Sequence, residues 1–250
     1  MAERILIPIK IPGWLHGPLL RMKRSIIPAS PVAKNIDGER HVEWSFLSRE
    51  MPNGPGEAMD FGCENGYMSL LAAEKGFRVL ALDLEPQNFA FQHLNIRFQL
   101  GDFLKLDLPE NHFDLVVNCS SVEHVGVAGR YGITAQQDEG DIEAVRKFAK
   151  VLKPGGLLIM TAPCGKDAVM APWCRVYGPE RLPRLLAPLR LEKERYWVKD
   201  EQNRWTEVER KAAFGFEPRH DPTNPHGCSY ALGGFVLRKM NPSNSTGEHP

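Results

Sequence analysis

The chain predicts an α/β protein with a doubly wound, mostly parallel sheet, and three observations carry that prediction. From Glu57 onward, short apolar runs alternate with helical patterns, the texture of parallel strands covered by helices on both faces. One run, residues 113–119, holds the unbroken triplet Leu115-Val116-Val117, which suits a strand buried on both sides. Across 250 residues, 42% hydrophobic and 25% charged side chains suffice for a sizeable core and exclude disordered, collagen-like and disulfide-scaffold classes.

The elements follow in order. Residues 57–61 form a strand, 68–75 a helix and 78–82 a second strand; a helix over 89–94 and a strand over 96–100 complete a βαβαβ unit. The strand over 113–119 comes next, then a long polar connection. Asp141 caps a helix whose Ile142, Val145, Ala149 and Leu152 share one face, and Lys153-Pro154-Gly155-Gly156 stops it. A strand over 157–162 precedes a helix that begins at Pro179 and carries Leu182, Leu185 and Leu186. Strands over 191–198 and 231–238 close the domain.

Three segments result. Residues 1–55 are proline-rich, with Arg21, Lys23 and Arg24 after an apolar stretch, and read as an N-terminal arm or lid. It either packs on the main domain or covers a substrate or a membrane surface. Residues 56–240 form the α/β domain, and 241–250 a polar tail expected to be disordered.

Charge and cysteine usage narrow the function. Thirty-one Lys and Arg balance 31 Asp and Glu, so no global field favours nucleic acid. Five cysteines, odd in number and without a C-x-x-C pair, suggest neither a zinc site nor a disulfide framework, and no metal is assigned. Arg4, Pro8, Lys10, Pro12, Gly13 and Gly17 interrupt the first twenty residues, and no run of about 18 apolar residues occurs. A cytoplasmic protein is expected.

In open α/β sheets the ligand lies beyond the carboxyl ends of the strands. The first strand runs into Asp60-Phe61-Gly62-Cys63-Glu64-Asn65-Gly66, where two glycines allow a tight turn and close approach of a ligand. The second ends in Asp83, 23 residues after Asp60, where a carboxylate can accept both hydroxyls of a ribose. After the third, Gly101-Asp102-Phe103 sets a carboxylate beside an aromatic ring, suited to adenine. A dinucleotide needs bare backbone N–H groups for its pyrophosphate, and Glu64 occupies the place of the middle glycine of that turn. S-adenosylmethionine, with its sulfonium and ammonium, tolerates Asp60 and Glu64 where NAD would not.

Five motifs carry a family resemblance: AMDFGCENGYMSLLAAEKG, VLALDLEP, LGDFLKLDLPENHFDLVVNCSSVEHV, VLKPGGLLIMTAP and YGPERLPRLLAPL. In this order and spacing, over about residues 55–200, the chain resembles the class I S-adenosylmethionine-dependent methyltransferases. The segments Ser120–Gly126 and Gly129–Gly132 look like those of a little-characterised methyltransferase-like subgroup. The resemblance implies a seven-stranded Rossmann-like sheet with an antiparallel last strand. It also implies that Asp60, Gly62 and Gly66 hold the methionine part, Asp83 the ribose, and Asp102, Phe103 and Leu84 the adenine. Cys63 is a common occupant of that loop in the family. The family loop reads G-x-G-x-G, from which Glu64 departs.

Methyl transfer is an in-line displacement, so the protein must align the acceptor and, for a hydroxyl, remove its proton. His124, one turn beyond the fourth strand with Glu123 beside it, suits a general base with an imidazole pKa of about 6.5; a capping or core histidine is the alternative. Asn118 is placed at the methionine carboxylate or the acceptor. Arg130, Tyr131, Lys166, Arg175 and Tyr177 fall on the connections after strands four and five and would suit an anionic or polyhydroxylated small molecule. Three classes stay open: a small-molecule methyltransferase acting on oxygen or nitrogen, a cofactor-binding protein that does not methylate, and a protein or RNA methyltransferase.

Overall fold

The computed structural model describes residues 38–129, 131–200, 204–220 and 228–241. The chain divides into two units, Met1–Lys34 and Asn35–Pro250, and every described residue belongs to the second. The basic arm segment, Arg130 and the tail from 242 lie outside the described residues.

The central sheet forms as the alternation predicts. Its parallel strands are β1 (Gly56–Phe61), β2 (Phe77–Asp83), β3 (Ile96–Leu100), β4 (Phe113–Cys119) and β5 (Leu152–Cys164). A short antiparallel hairpin follows, β6 (Ala168–Met170) and β7 (Cys174–Val176), then β8 (Arg190–Lys199) and β9 (Trp205–Val208). Two two-residue strands, β10 (Arg219–His220) and β11 (Cys228–Ser229), precede β12 (Ala231–Arg238). The order across the sheet is β3-β2-β1-β4-β5-β12-β8-β9, with β12 antiparallel to both neighbours. That makes eight strands among the described residues rather than seven, because β9 adds an edge.

The helices are α1 (Arg40–Glu50), α2 (Tyr67–Glu74), α3 (Gly140–Val151), α4 (Arg181–Leu186) and α5 (Arg210–Phe214). Alternating strand side chains bury both faces. Leu115 and Val117 of β4 pack with Phe46 and Leu47 of α1 and Met68 and Ala72 of α2. Val116 between them joins Ile142, Val145 and Phe148 of α3 and Leu182 and Leu185 of α4 on the opposite face.

Four local expectations change. Residues 89–94 are irregular rather than helical: Phe89 and Phe91 stack at 5.3 Å, the two-residue spacing of extended chain. Asp141 is no cap; it sits buried in the first turn of α3, which begins after Glu139. Lys153-Pro154-Gly155-Gly156 lies inside β5, beside a register shift between Phe113 and Leu115 of β4. Helix α1 falls where an arm was expected, and its buried residues Glu43, Phe46 and Leu47 have helical spacing with an acid as one member.

Candidate active site

The carboxyl ends of β1 to β4, with Trp173 and Cys174 from the segment after β5, open into a cavity of about 630 Å³. Because sheet order places β2 and β3 on one side of β1 and β4 and β5 on the other, the cavity has two ends.

At the β2–β3 end, local backbone fixes the carboxylates. Asp83 accepts the N–H of Glu64 (2.9 Å) and of Glu85 (2.9 Å), one on each oxygen. Each oxygen keeps a lone pair for a ligand hydroxyl. Asp102 accepts the N–H of Leu104 at 3.0 Å and pairs with Lys105 at 3.0 Å. Phe103 lines the wall while its ring packs edge-on against Phe61 at 5.1 Å. Leu84 lines the same end and is exposed.

The loop after β1 divides the two ends. Gly62 has φ +66°, and a Cβ there would lie 2.3 Å from the Ser121 Oγ, so only glycine lets this loop close on the end of β4. Glu64 itself has φ +44°, which explains the glycine usual at this position; its carboxylate lies 3.5 Å from Arg40 of α1. Gly66 lines no part of the cavity; its φ of +73° starts α2 under the Phe89 ring. Asp60 and Cys63 line a separate small recess beside the cavity, together with Gly62 and Glu64. Ser69 donates to Asp60 at 2.6 Å. Burial pushes the Asp60 carboxyl up to about 6, the Ser69 hydroxyl offsetting part of the rise.

At the β4–β5 end, long-range contacts fix the groups. A 3₁₀ turn, Val122–His124, follows β4. His124 donates its Nδ1 proton to the Trp173 carbonyl at 2.6 Å, since a carbonyl can only accept, which leaves Nε2 with the lone pair in the neutral ring. Tyr131 meets the His124 ring edge-on at 5.7 Å, and both line the cavity. Glu39, Glu123, Trp173 and Tyr230 also line it.

Of the residues expected to bind, Gly62, Glu64, Asp83, Leu84, Asp102, Phe103, His124 and Tyr131 converge on the cavity. Others do not. Asn118 is buried and ties β4 to the 3₁₀ turn, accepting Val122 N–H at 2.9 Å and donating to the Thr161 carbonyl at 3.2 Å. Arg175 and Tyr177, expected at an acceptor, are fully buried, because the strand β7 and the bridge after it run through the core. Arg175 donates to the carbonyls of Val125 and Gln137, so it holds the cavity wall from behind, and Tyr177 donates to Asp141 at 3.1 Å. Lys166 is exposed and pairs with Glu217 away from the cavity. Glu39, Arg40 and Tyr230 were not foreseen: the first two sit in the expected arm, and nothing local marks the third. Among the described residues no group of three or more His, Cys, Asp or Glu could hold a metal ion, and no helix is long and apolar enough to cross a membrane.

The family described as Caenorhabditis protein of unknown function, DUF268, matches residues 79–204, just over half of the chain. The chain belongs to that family. This DUF268 chain is 27% identical over 136 residues to phosphoethanolamine N-methyltransferase 3 of Arabidopsis thaliana, an alignment covering 51% of this chain and 25% of that protein. It thus spans about a quarter of that relative's length. The [4+2]-cyclase SpnF superposes with a TM-score of 0.53 at 18% identity, over 90% of this chain and 93% of the cyclase. Phosphoethanolamine N-methyltransferase 2 of Haemonchus contortus, in complex with S-adenosyl-L-methionine, gives 0.53 at 14% identity over 80% of this chain and 53% of that one. The curated relative points to the class I S-adenosylmethionine-dependent methyltransferase superfamily, and the fold is that of the two solved structures.

Proposed function

We propose that this protein is an S-adenosylmethionine-dependent methyltransferase acting on an oxygen or nitrogen of a small molecule. The observation that carries this reading is one cavity that holds backbone-fixed Asp83 and Asp102 at one end and His124, its ring oriented by the Trp173 carbonyl, at the other. Its volume falls within the range of about 300–1,000 Å³ usual for small-molecule sites.

The residues present fit the cofactor. Glu39, Glu64, Asp83, Glu85 and Asp102 line the cavity against Arg40 and Lys105, which suits a cationic ligand and repels a pyrophosphate. Asp83 would hold the ribose hydroxyls, and Asp102 with Phe103 the adenine. When bound, the cofactor supplies a methyl group on a cationic sulfur. His124 would take the acceptor's proton at Nε2 while its Nδ1–H, held by the Trp173 carbonyl, fixes the ring. An anionic acceptor loses the support of Lys166 and Arg175, neither of which reaches the cavity.

Calorimetric titration of S-adenosylmethionine, S-adenosylhomocysteine and NAD into the wild type and Asp83→Ala tests the cofactor. The first two are expected to bind the wild type and to lose about tenfold to a hundredfold in the variant, the worth of one or two hydrogen bonds to a charged group. Binding of NAD alone would overturn the reading. A second reading, cofactor binding without methylation, draws on the likeness to a [4+2]-cyclase over 90% of the chain. Formation of S-adenosylhomocysteine with an acceptor decides between the two.

A further inference from the structure

We propose that the β4–β5 end of the cavity selects a small organic cation, an amine carried as its ammonium, and that Glu123 is the residue that selects it. This rests on reading the cavity as a joint cofactor and acceptor site.

Glu123 lines the cavity yet is only 2% exposed, and its Oε2 has no hydrogen-bond partner. Its Oε1 lies 3.8 Å from the Nε2 of His124. A buried carboxylate oxygen with nothing donating to it is costly, and a bound N–H donor is what would satisfy it. A second acid, Glu39, lines the same end, with Tyr230 donating to it at 2.8 Å.

The neighbouring charges leave the excess negative. From α1, Glu43 is buried close by; it takes Arg40 at 2.8 Å and Thr161 at 2.8 Å, and the hydroxyl of Ser120. Arg40 is divided between Glu43 and Glu64 and is not available to an anionic ligand. Cys164, Cys174 and Tyr177, which also face Glu123, have their ionisation pushed up and carry no charge at neutral pH. Burial, with Glu43 and Glu39 adding to it, holds the Glu123 carboxyl well above the usual range, so an arriving cation would displace its proton. Trp173, Tyr131 and Tyr230 give the same end aromatic walls, which favour an ammonium over a carboxylate or an alcohol.

The test uses three molecules of one shape, 2-phenylethylamine, 2-phenylethanol and phenylacetate, titrated into the full chain with and without saturating S-adenosylhomocysteine. The amine is expected to bind at least about tenfold tighter than the other two. Glu123→Gln is expected to weaken the amine about thirtyfold or more, the cost of removing one partner of a buried charge pair, while S-adenosylhomocysteine affinity stays within about twofold. Equal or tighter binding of the alcohol or the acid, or no amine binding, overturns the proposal. Should Glu123→Gln not fold, amine titrations of the wild type in two buffers of different ionisation enthalpy take its place. Proton release near pH 7 is expected, and its absence overturns the role of Glu123. S-adenosylhomocysteine silence with an intact amine preference sinks the cofactor reading alone, cofactor binding with no amine preference sinks this proposal alone, and silence from both sinks both.

Discussion

The two ends of the cavity carry acids of opposite kinds. At the β2–β3 end Asp83 and Asp102 are oriented by N–H groups of Glu64, Glu85 and Leu104, two of them only two residues away in sequence. At the β4–β5 end Glu39 and Glu123 are buried and depend on partners from other parts of the chain: Tyr230 lies 191 residues from Glu39. A carboxylate fixed by its own loop is oriented by backbone already at hand. One buried by distant segments stays ionised only when something cationic meets it. The first arrangement suits a ligand common to many proteins of one fold, and the second suits discrimination.

The contrast can be broken most forcefully at His124. In the presence of a methyl acceptor, His124→Gln is expected to lower turnover by about 10²–10⁴-fold, the usual worth of a general base, with S-adenosylhomocysteine affinity nearly unchanged. A loss below tenfold would move His124 from base to wall.

Arg175 tests whether the acceptor end is built from behind. It is fully buried, donates to two wall carbonyls and lies 3.8 Å from Asp141. Arg175→Met is expected to cost about 3–5 kcal/mol, as when one partner of a buried pair is removed, read as a lower urea midpoint. An unchanged midpoint with weakened acceptor binding would return Arg175 to the ligand.

The smallest effect lies at Asp60, between the ends. Its folded pKa of about 6 stands above the ordinary carboxylate value, so the charged form is the one folding disfavours. Its contribution to stability is present below about pH 4, is lost as pH rises through about 6, and is flat above that. Asp60→Asn keeps an acceptor for Ser69 and is expected to gain up to roughly 3 kcal/mol over wild type at pH 7 relative to pH 4. Urea midpoints of both proteins at several pH values measure this, and a pH-independent difference would count against it.

Much of the first end was legible in the sequence, because the acids at 83 and 102 each accept an N–H from two residues further along. Glu64 was marked as a departure, but its pairing with Arg40 was not, since Arg40 sits on a helix with an acid in its buried stripe. Arg175 and Tyr177 looked like exposed loop residues because their burial depends on β7 passing beneath the wall. Phe89 and Phe91 had the composition of a helix, and only their stacking revealed extended chain.

The sequence by itself determined the α/β alternation, the strand ends that bear acids and the tight turn after β1, because periodicity and turn chemistry act over a few residues. Only the tertiary structure decided which charges are buried, which cations are already paired, and that one oxygen of Glu123 is buried at the cavity without a donor. Burial and ion pairing depend on segments that meet through folding, and no local pattern records those meetings.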